Sequence, residues 1–179
     1  SAGDADFAPS LMRVGMGRLH MDGHEIRLAA GSAITLNGIA QGYITDRVAE
    51  MLRRRGWKSV LVDLGELKVL EGRGFDVLVR GSIGRVSLAN GAQATSETAG
   101  SLIGPGRGVS HVLDPKTGAP AHLWRAVTVR HSSAAVADGL STALLLAGRE
   151  QAQTIVRRVA GTLAWFTRHD DTTFTVANT

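Results

Sequence analysis

The alternation of apolar and polar positions opens with two strand-like segments, residues 17–21 and 24–28, on either side of Asp22-Gly23. A glycine in a two-residue loop between such segments predicts a β-hairpin turning on Asp22-Gly23. The rhythm then changes. Over residues 39–55, Ile39, Tyr43, Ile44, Val48, Met51 and Leu52 recur at helical spacing and Gly56 supplies a stop, which predicts a first helix with that apolar stripe. Residues 58–64 and 75–80 read as buried strands and 85–88 as another, with Asn90-Gly91 as a tight turn before a strand at 92–95. A further strand is predicted at 126–130, helices at 134–146 and 150–159, and two closing strands at 163–168 and 173–177 around an Asp170-Asp171 turn. Helices and strands mix without strict alternation, so the expected fold is α+β, a mixed or antiparallel sheet with packed helices, in one domain over residues 1–179.

Composition narrows the function classes. The 179 residues are 44% hydrophobic and 20% charged, enough apolar material for one substantial core and unlike a disordered chain. The longest apolar run, 143–147, falls far short of the roughly 18 residues that a membrane-spanning helix needs. With no cysteine, disulfides, thiolate metal sites and cysteine nucleophiles are excluded. A net charge of +4 raises nucleic acid as a ligand, yet no helix-turn-helix or RNA-recognition pattern accompanies it, and no nucleic-acid partner is expected. The densest basic run, Arg53-Arg54-Arg55, falls at the end of the predicted helix, where cations complement the helix dipole. The start, Ser1-Ala-Gly-Asp4, reads as a trimmed or mature end and carries no targeting information.

Three segments concentrate chemistry. In His111-Val-Leu-Asp114-Pro115-Lys-Thr117-Gly118-Ala-Pro120 an imidazole precedes a turn built by Asp114, Pro115 and Gly118, which is either a site or a surface hairpin with a solvated histidine. Thr35-Leu-Asn37-Gly38-Ile-Ala40-Gln41-Gly42 places small residues and free backbone amides at a helix start, suited to phosphate. The plainer alternative has Asn37 as helix cap and the glycines as packing residues. In Ala137-Asp138-Gly139-Leu140-Ser141-Thr142-Ala143 the oxygens of Asp138, Ser141 and Thr142 lie three and four residues apart, on one helix face. Such hard oxygens suit magnesium, and N-capping by Asp138 is the ordinary alternative.

Taken in order, these segments resemble the ApbE family, the FAD:protein FMN transferases. The matching positions are Ile39-Ala40, Gly42-Tyr43 and Asp46, then Thr95-Ser96, then His111, Asp114-Pro115, Thr117-Gly118 and Pro120, then Ala137-Asp138 and Thr142-Ala143, within about residues 17–148. The resemblance implies a magnesium-dependent enzyme that cleaves the pyrophosphate of FAD, joins FMN to a threonine or serine hydroxyl of an acceptor flavoprotein, and releases AMP. It implies Asp138, Ser141 and Thr142 with the Gly38 carbonyl as the metal set, His111 as the general base, and Thr35, Asn37, Gln41 and Leu113 against the flavin nucleotide. A periplasmic or cell-envelope location is implied by the same likeness.

Departures from the family pattern shape the alternatives. Thr35 stands where the pattern has aspartate, Gln41 where it has lysine or glutamate, and Ser141 where many members carry a second aspartate. The family's glycine pair becomes Gly65-Glu66, the segment from Ser96 to His111 is short, and the family's upstream region has no counterpart before Gly17. The expected function is therefore FMN transfer, with a degenerate flavin-binding or partner-binding module as the alternative. A serine hydrolase using Ser96, His111 and Asp114 or Asp138 is a third reading, disfavoured because no Gly-x-Ser-x-Gly elbow surrounds Ser96.

Overall fold

A computed structural model describes residues 8–80, 84–103 and 108–178. A one-turn helix α1 (Ala8–Leu11) leads into the hairpin of β1 (Leu19–Asp22) and β2 (Glu25–Leu28). Asp22 pairs with Glu25, so the loop residues are Gly23 and His24, one position later than the sequence pattern predicts. Then come helix α2 (Ala40–Arg54), strands β3 (Leu61–Asp63), β4 (Leu67–Val69), β5 (Phe75–Val79), β6 (Gly84–Leu88), β7 (Gly91–Glu97), β8 (Leu102–Ile103), β9 (Val109–Ser110) and β10 (Ala126–His131). Helices α3 (Ala134–Leu146) and α4 (Arg149–Arg157) precede β11 (Thr162–Thr167) and β12 (Thr173–Asn178).

The main sheet has six strands in the order β12-β11-β10-β7-β4-β3, every neighbouring pair antiparallel. The α+β class expected from the sequence is the class observed. Asn90-Gly91 does turn the chain, but it leads from the β5–β6 hairpin into the main sheet rather than joining two paired strands. Because residues alternate faces along a strand, Val127 and Val129 of β10 meet Leu144 and Leu145 of α3 in the largest core cluster, with Val156 of α4 and Phe166 of β11. Phe166 stacks on Phe174 at 4.6 Å, Trp124 abuts both rings, and its indole N–H donates to the Ala147 carbonyl at 2.8 Å, which satisfies the polar end of a buried aromatic. The other sheet face is covered by the β5–β6 hairpin: Gln93 and Thr167 donate to the Leu78 and Arg80 carbonyls.

Helix α2 packs against α3, but not through the apolar stripe that periodicity picks out. Its buried positions are Gly42, Thr45 and Ala49; of the predicted stripe Val48 and Leu52 pack against the cluster of Val62 and Leu70, whereas Ile39, Tyr43, Ile44 and Met51 are exposed. Small residues win that face because the helices approach closely: a Cβ on Gly42 would lie 2.3 Å from the Ala134 carbonyl oxygen. Glycine to alanine inside a helix ordinarily stabilises by about 1 kcal/mol. Here backbone blocks the added methyl, and Gly42→Ala is expected to destabilise by about 1–3 kcal/mol, the usual range for overpacking. Urea denaturation checks the sign, and a more stable variant would mean that α2 and α3 are not in this contact.

Candidate functional site

The N-terminus of α3 fixes everything that follows. Ser133 is its cap, accepting from the Val136 N–H at 3.3 Å, and Asp46 on α2 accepts from the Ala134 and Ala135 N–H groups at 2.9 and 3.1 Å. Asp138 therefore lies in the second turn of α3 and is not its cap, which removes the capping alternative for that residue. Asn37 is no cap either. Helix α2 starts after Ile39 with no side-chain cap, and the Asn37 N–H donates to the Thr35 hydroxyl at 3.3 Å.

One turn apart on the same face, Asp138 and Thr142 line a cavity of about 450 Å³ with Thr35, Asn37, Gly38, Gln41 and His111. All three segments read from the sequence meet there. Asp138 is buried, and its Oδ2 accepts the Gly42 N–H at 3.0 Å. A Cβ on Gly38 would sit 3.6 Å from the Thr142 hydroxyl, so the loop before α2 lies directly over α3. Ser141 does not face the cavity. It is buried, donates to the Asp138 carbonyl at 2.9 Å and shares a 2.8 Å hydrogen bond with the Ser96 hydroxyl, which also lies 3.1 Å from Thr142 Oγ1. Leu113 stands outside the cavity, in a β-bridge with Pro120 that closes the following turn.

That turn forms as its residue types dictate. The Asp114 carboxylate accepts the Lys116 N–H at 2.8 Å, and Gly118 takes φ 73°, the left-handed region open to glycine. His111 follows β9 directly, and its Nδ1 lies 2.8 Å from the Ser101 carbonyl oxygen. A carbonyl only accepts, so Nδ1 carries the proton and Nε2 of the neutral ring is left as an acceptor. The Ser96 hydroxyl is engaged by Ser141 and Thr142 and Asp114 by its own turn, so no serine–histidine–aspartate relay exists among these groups.

A further cavity residue, Glu66, enters the sequence reading only as a departure from the family's glycine pair. It sits just before β4 and is buried, 7% exposed. Burial, followed by the charges of Asp138 and Asp63, pushes its carboxyl up to about 8 against the opposing N–H of Thr95. Asp138 is raised as well, by burial outweighing the Gly42 hydrogen bond. Among the described residues no three acidic or imidazole groups gather as a metal cluster. A cation at Asp138 would rest on mixed oxygens: its carboxylate, the Thr142 hydroxyl and the Gly38 carbonyl.

The raised carboxyls have a measurable consequence. A folded-state pKa above the unfolded value means that the folded protein binds more protons, so the contribution is most favourable below about pH 4.3 and declines as pH rises. Stability attributable to Glu66 should fall from there through about pH 8. Urea midpoints measured across that window should fall for the wild type, and Glu66→Gln should flatten the slope. An equal slope in the variant would place the titration elsewhere.

Comparison with known proteins bears on the three-segment site. The sequence model described as "ApbE family" matches residues 2–166, nearly the whole chain. The chain belongs to the ApbE family. The FAD:protein FMN transferase of Salmonella typhimurium is 32% identical over 143 residues, 70% of this chain and 40% of that protein. The Escherichia coli K12 protein of the same name is 30% identical over 156 residues, 77% of this chain and 43% of its own length. The apo flavinyl transferase ApbE of Pseudomonas stutzeri superposes with a TM-score of 0.80 at 31% identity, covering 97% of this chain and 57% of that one. The ApbE protein of Thermotoga maritima, 23% identical with a TM-score of 0.83 and covering 97% of this chain and 62% of that one, shares the fold. This ApbE chain thus spans less than half the length of the two curated relatives.

Proposed function

We propose that this chain carries the metal-binding and acid–base part of an FAD:protein FMN transferase, acting on FAD and on a threonine or serine hydroxyl of an acceptor flavoprotein. The observation that carries the reading is the meeting of His111, Asp138, Thr142 and Gly38 in one cavity, from three segments far apart in sequence. The oxygens of Asp138, Thr142 and Gly38 fit magnesium, because the buried acids Asp138 and Glu66 line this space and, among the described residues, no lysine or arginine does. When bound, magnesium supplies charge neutralisation on the diphosphate. Thr35, Asn37 and Gln41 line the same cavity and offer neutral donors and acceptors to the nucleotide.

In the reaction, His111 Nε2 takes the proton of the acceptor hydroxyl as its oxygen bonds to the FMN phosphorus. The bond from that phosphorus to the bridging oxygen breaks, and AMP leaves with the electron pair. The Ser101 carbonyl keeps the ring in the tautomer that can do this. Thr35 and Gln41 carry no charge and Glu66, pushed up to about 8, is mostly protonated near neutrality, so the Asp138 carboxylate is the proposed anchor for the metal.

A ligand that binds the folded state raises its melting temperature in proportion to the logarithm of its concentration over Kd. FAD with magnesium should therefore shift the melting temperature upward and NAD should not. Stabilisation by NAD alone, or by neither, would contradict the proposed ligand.

A further inference from the structure

We infer that Asp46 is a positioning residue for this site: outside the cavity, it holds the α2–α3 seam at the separation that brings the Gly42 N–H to the Asp138 carboxylate. Asp46 follows Gly42 by one turn of α2, and its contacts on α3 precede Asp138 by one turn. Its two oxygens collect four partners. Oδ1 accepts the Ala134 N–H at 2.9 Å and pairs with Lys68 Nζ at 3.0 Å, while Oδ2 accepts the Ser133 hydroxyl at 2.6 Å and the Ala135 N–H at 3.1 Å.

An α-helix leaves its first N–H groups without intrahelical partners. In α3 these are shared out between Asp46, for Ala134 and Ala135, and the Ser133 side chain, for Val136. A single cap would have satisfied part of this from within α3. The use of a carboxylate from α2 ties the helix end to its neighbour at the point where Gly42 also excludes any side chain.

Lys68 extends the clamp to the sheet. It lies on β4, two residues beyond Glu66, and its ammonium reaches both Asp46 and the Ser132 carbonyl. One half-buried ion pair thus joins the three elements that carry or flank Gly42, Asp138 and Glu66. Burial alone would raise the Asp46 carboxyl, but the hydrogen bonds from Ser133, Ala134, Ala135 and Lys68 outweigh it and hold the group below its ordinary value. The carboxylate is therefore charged across the neutral range, with its partners in place.

Residues that orient a metal ligand without touching the metal typically cost 10- to 100-fold in metal affinity when removed. The cation arm of the test rests on the proposed function; the amide arm does not. Asp46→Ala is compared with Phe174→Leu, which loosens the aromatic core and does not line the cavity, under conditions of matched loss in urea midpoint. Calorimetry with manganese should show a loss of 10- to 100-fold for Asp46→Ala and under about twofold for Phe174→Leu. The Gly42 amide, read by NMR hydrogen exchange, should lose protection only in Asp46→Ala. A folded Asp46→Ala variant with a fully protected Gly42 amide and wild-type manganese affinity would overturn the inference. Should the wild type bind no manganese, the cation reading fails while the Gly42 amide still decides the role of Asp46. If Asp46→Ala does not fold, Lys68→Met and Asp46→Asn are read at the same amide, and normal protection in both would equally refute it.

Discussion

Replacing His111 with alanine is expected to lower the rate of FMN transfer by about 10²- to 10⁴-fold, the usual loss when a positioned base is removed. The side chain is exposed and, among the described residues, its ring makes one hydrogen bond, to the Ser101 carbonyl, so its removal should leave the fold intact. FAD and divalent-cation binding should survive, because Asp138, Thr142 and Gly38 are untouched. Single-turnover rates separate the chemical step from binding. A variant that keeps its rate would eliminate His111 as the base, and one that unfolds would show that the imidazole serves instead to hold the paired strands β8 and β9 through Ser101.

Asp138→Asn should split two properties that usually move together. Asparagine retains an oxygen for the Gly42 N–H, now 3.0 Å from the carboxylate, while removing a buried charge that has no cationic partner among the described residues and that opposes ionisation of Glu66. Burying a charge without a partner is costly. The metal-free variant should therefore be at least as stable as the wild type near pH 8, yet magnesium affinity and magnesium-dependent turnover should collapse. Parallel calorimetry and urea denaturation provide the check. Unchanged affinity would remove Asp138 from the metal site; marked destabilisation without metal would mean that the charge is already compensated in the fold.

These outcomes depend on features that differ in how far the sequence discloses them. Helix α3 is predicted at its observed bounds because its apolar run meets a clear start and stop. The Asp114 turn is legible too, since each of its residues has one dominant backbone preference. Pairing is harder. β4 has three residues, too few for alternation to register, so the strand that carries Lys68 and follows Glu66 has no signature. On α2 periodicity finds an apolar stripe, but the buried face is Gly42, Thr45 and Ala49, chosen by how closely α3 approaches. Hydrophobicity patterns report which residues prefer burial and are blind to contacts made by small residues.

The site shows the same division. Local order placed Asp138 and Thr142 on one face, and the likeness to the ApbE family joined them to His111 and Gly38, which line the same cavity. Ser141 falls on the neighbouring side of the helix, where it bonds Ser96, and Leu113 falls beyond the cavity wall. The sequence marks Glu66 only as a departure from the family's glycine pair, and its place in the cavity is hidden because a buried carboxylate looks like an exposed one until the fold encloses it. Asp46 belonged to the family pattern, but its partners, 87 to 89 residues away on α3, appear only when the helices are packed.

The central claim is that the cavity between Gly38, His111 and Asp138 serves transfer of FMN to a hydroxyl. Incubation of the chain with FAD, magnesium and a threonine-bearing acceptor peptide, followed by mass spectrometry, tests it most directly. The account predicts a peptide heavier by one FMN phosphoester, with AMP released in equal amount and both products absent for His111→Ala and Asp138→Asn over the same period. FAD that is bound in the presence of magnesium but never yields an adduct, or an adduct formed equally by both variants, would contradict it.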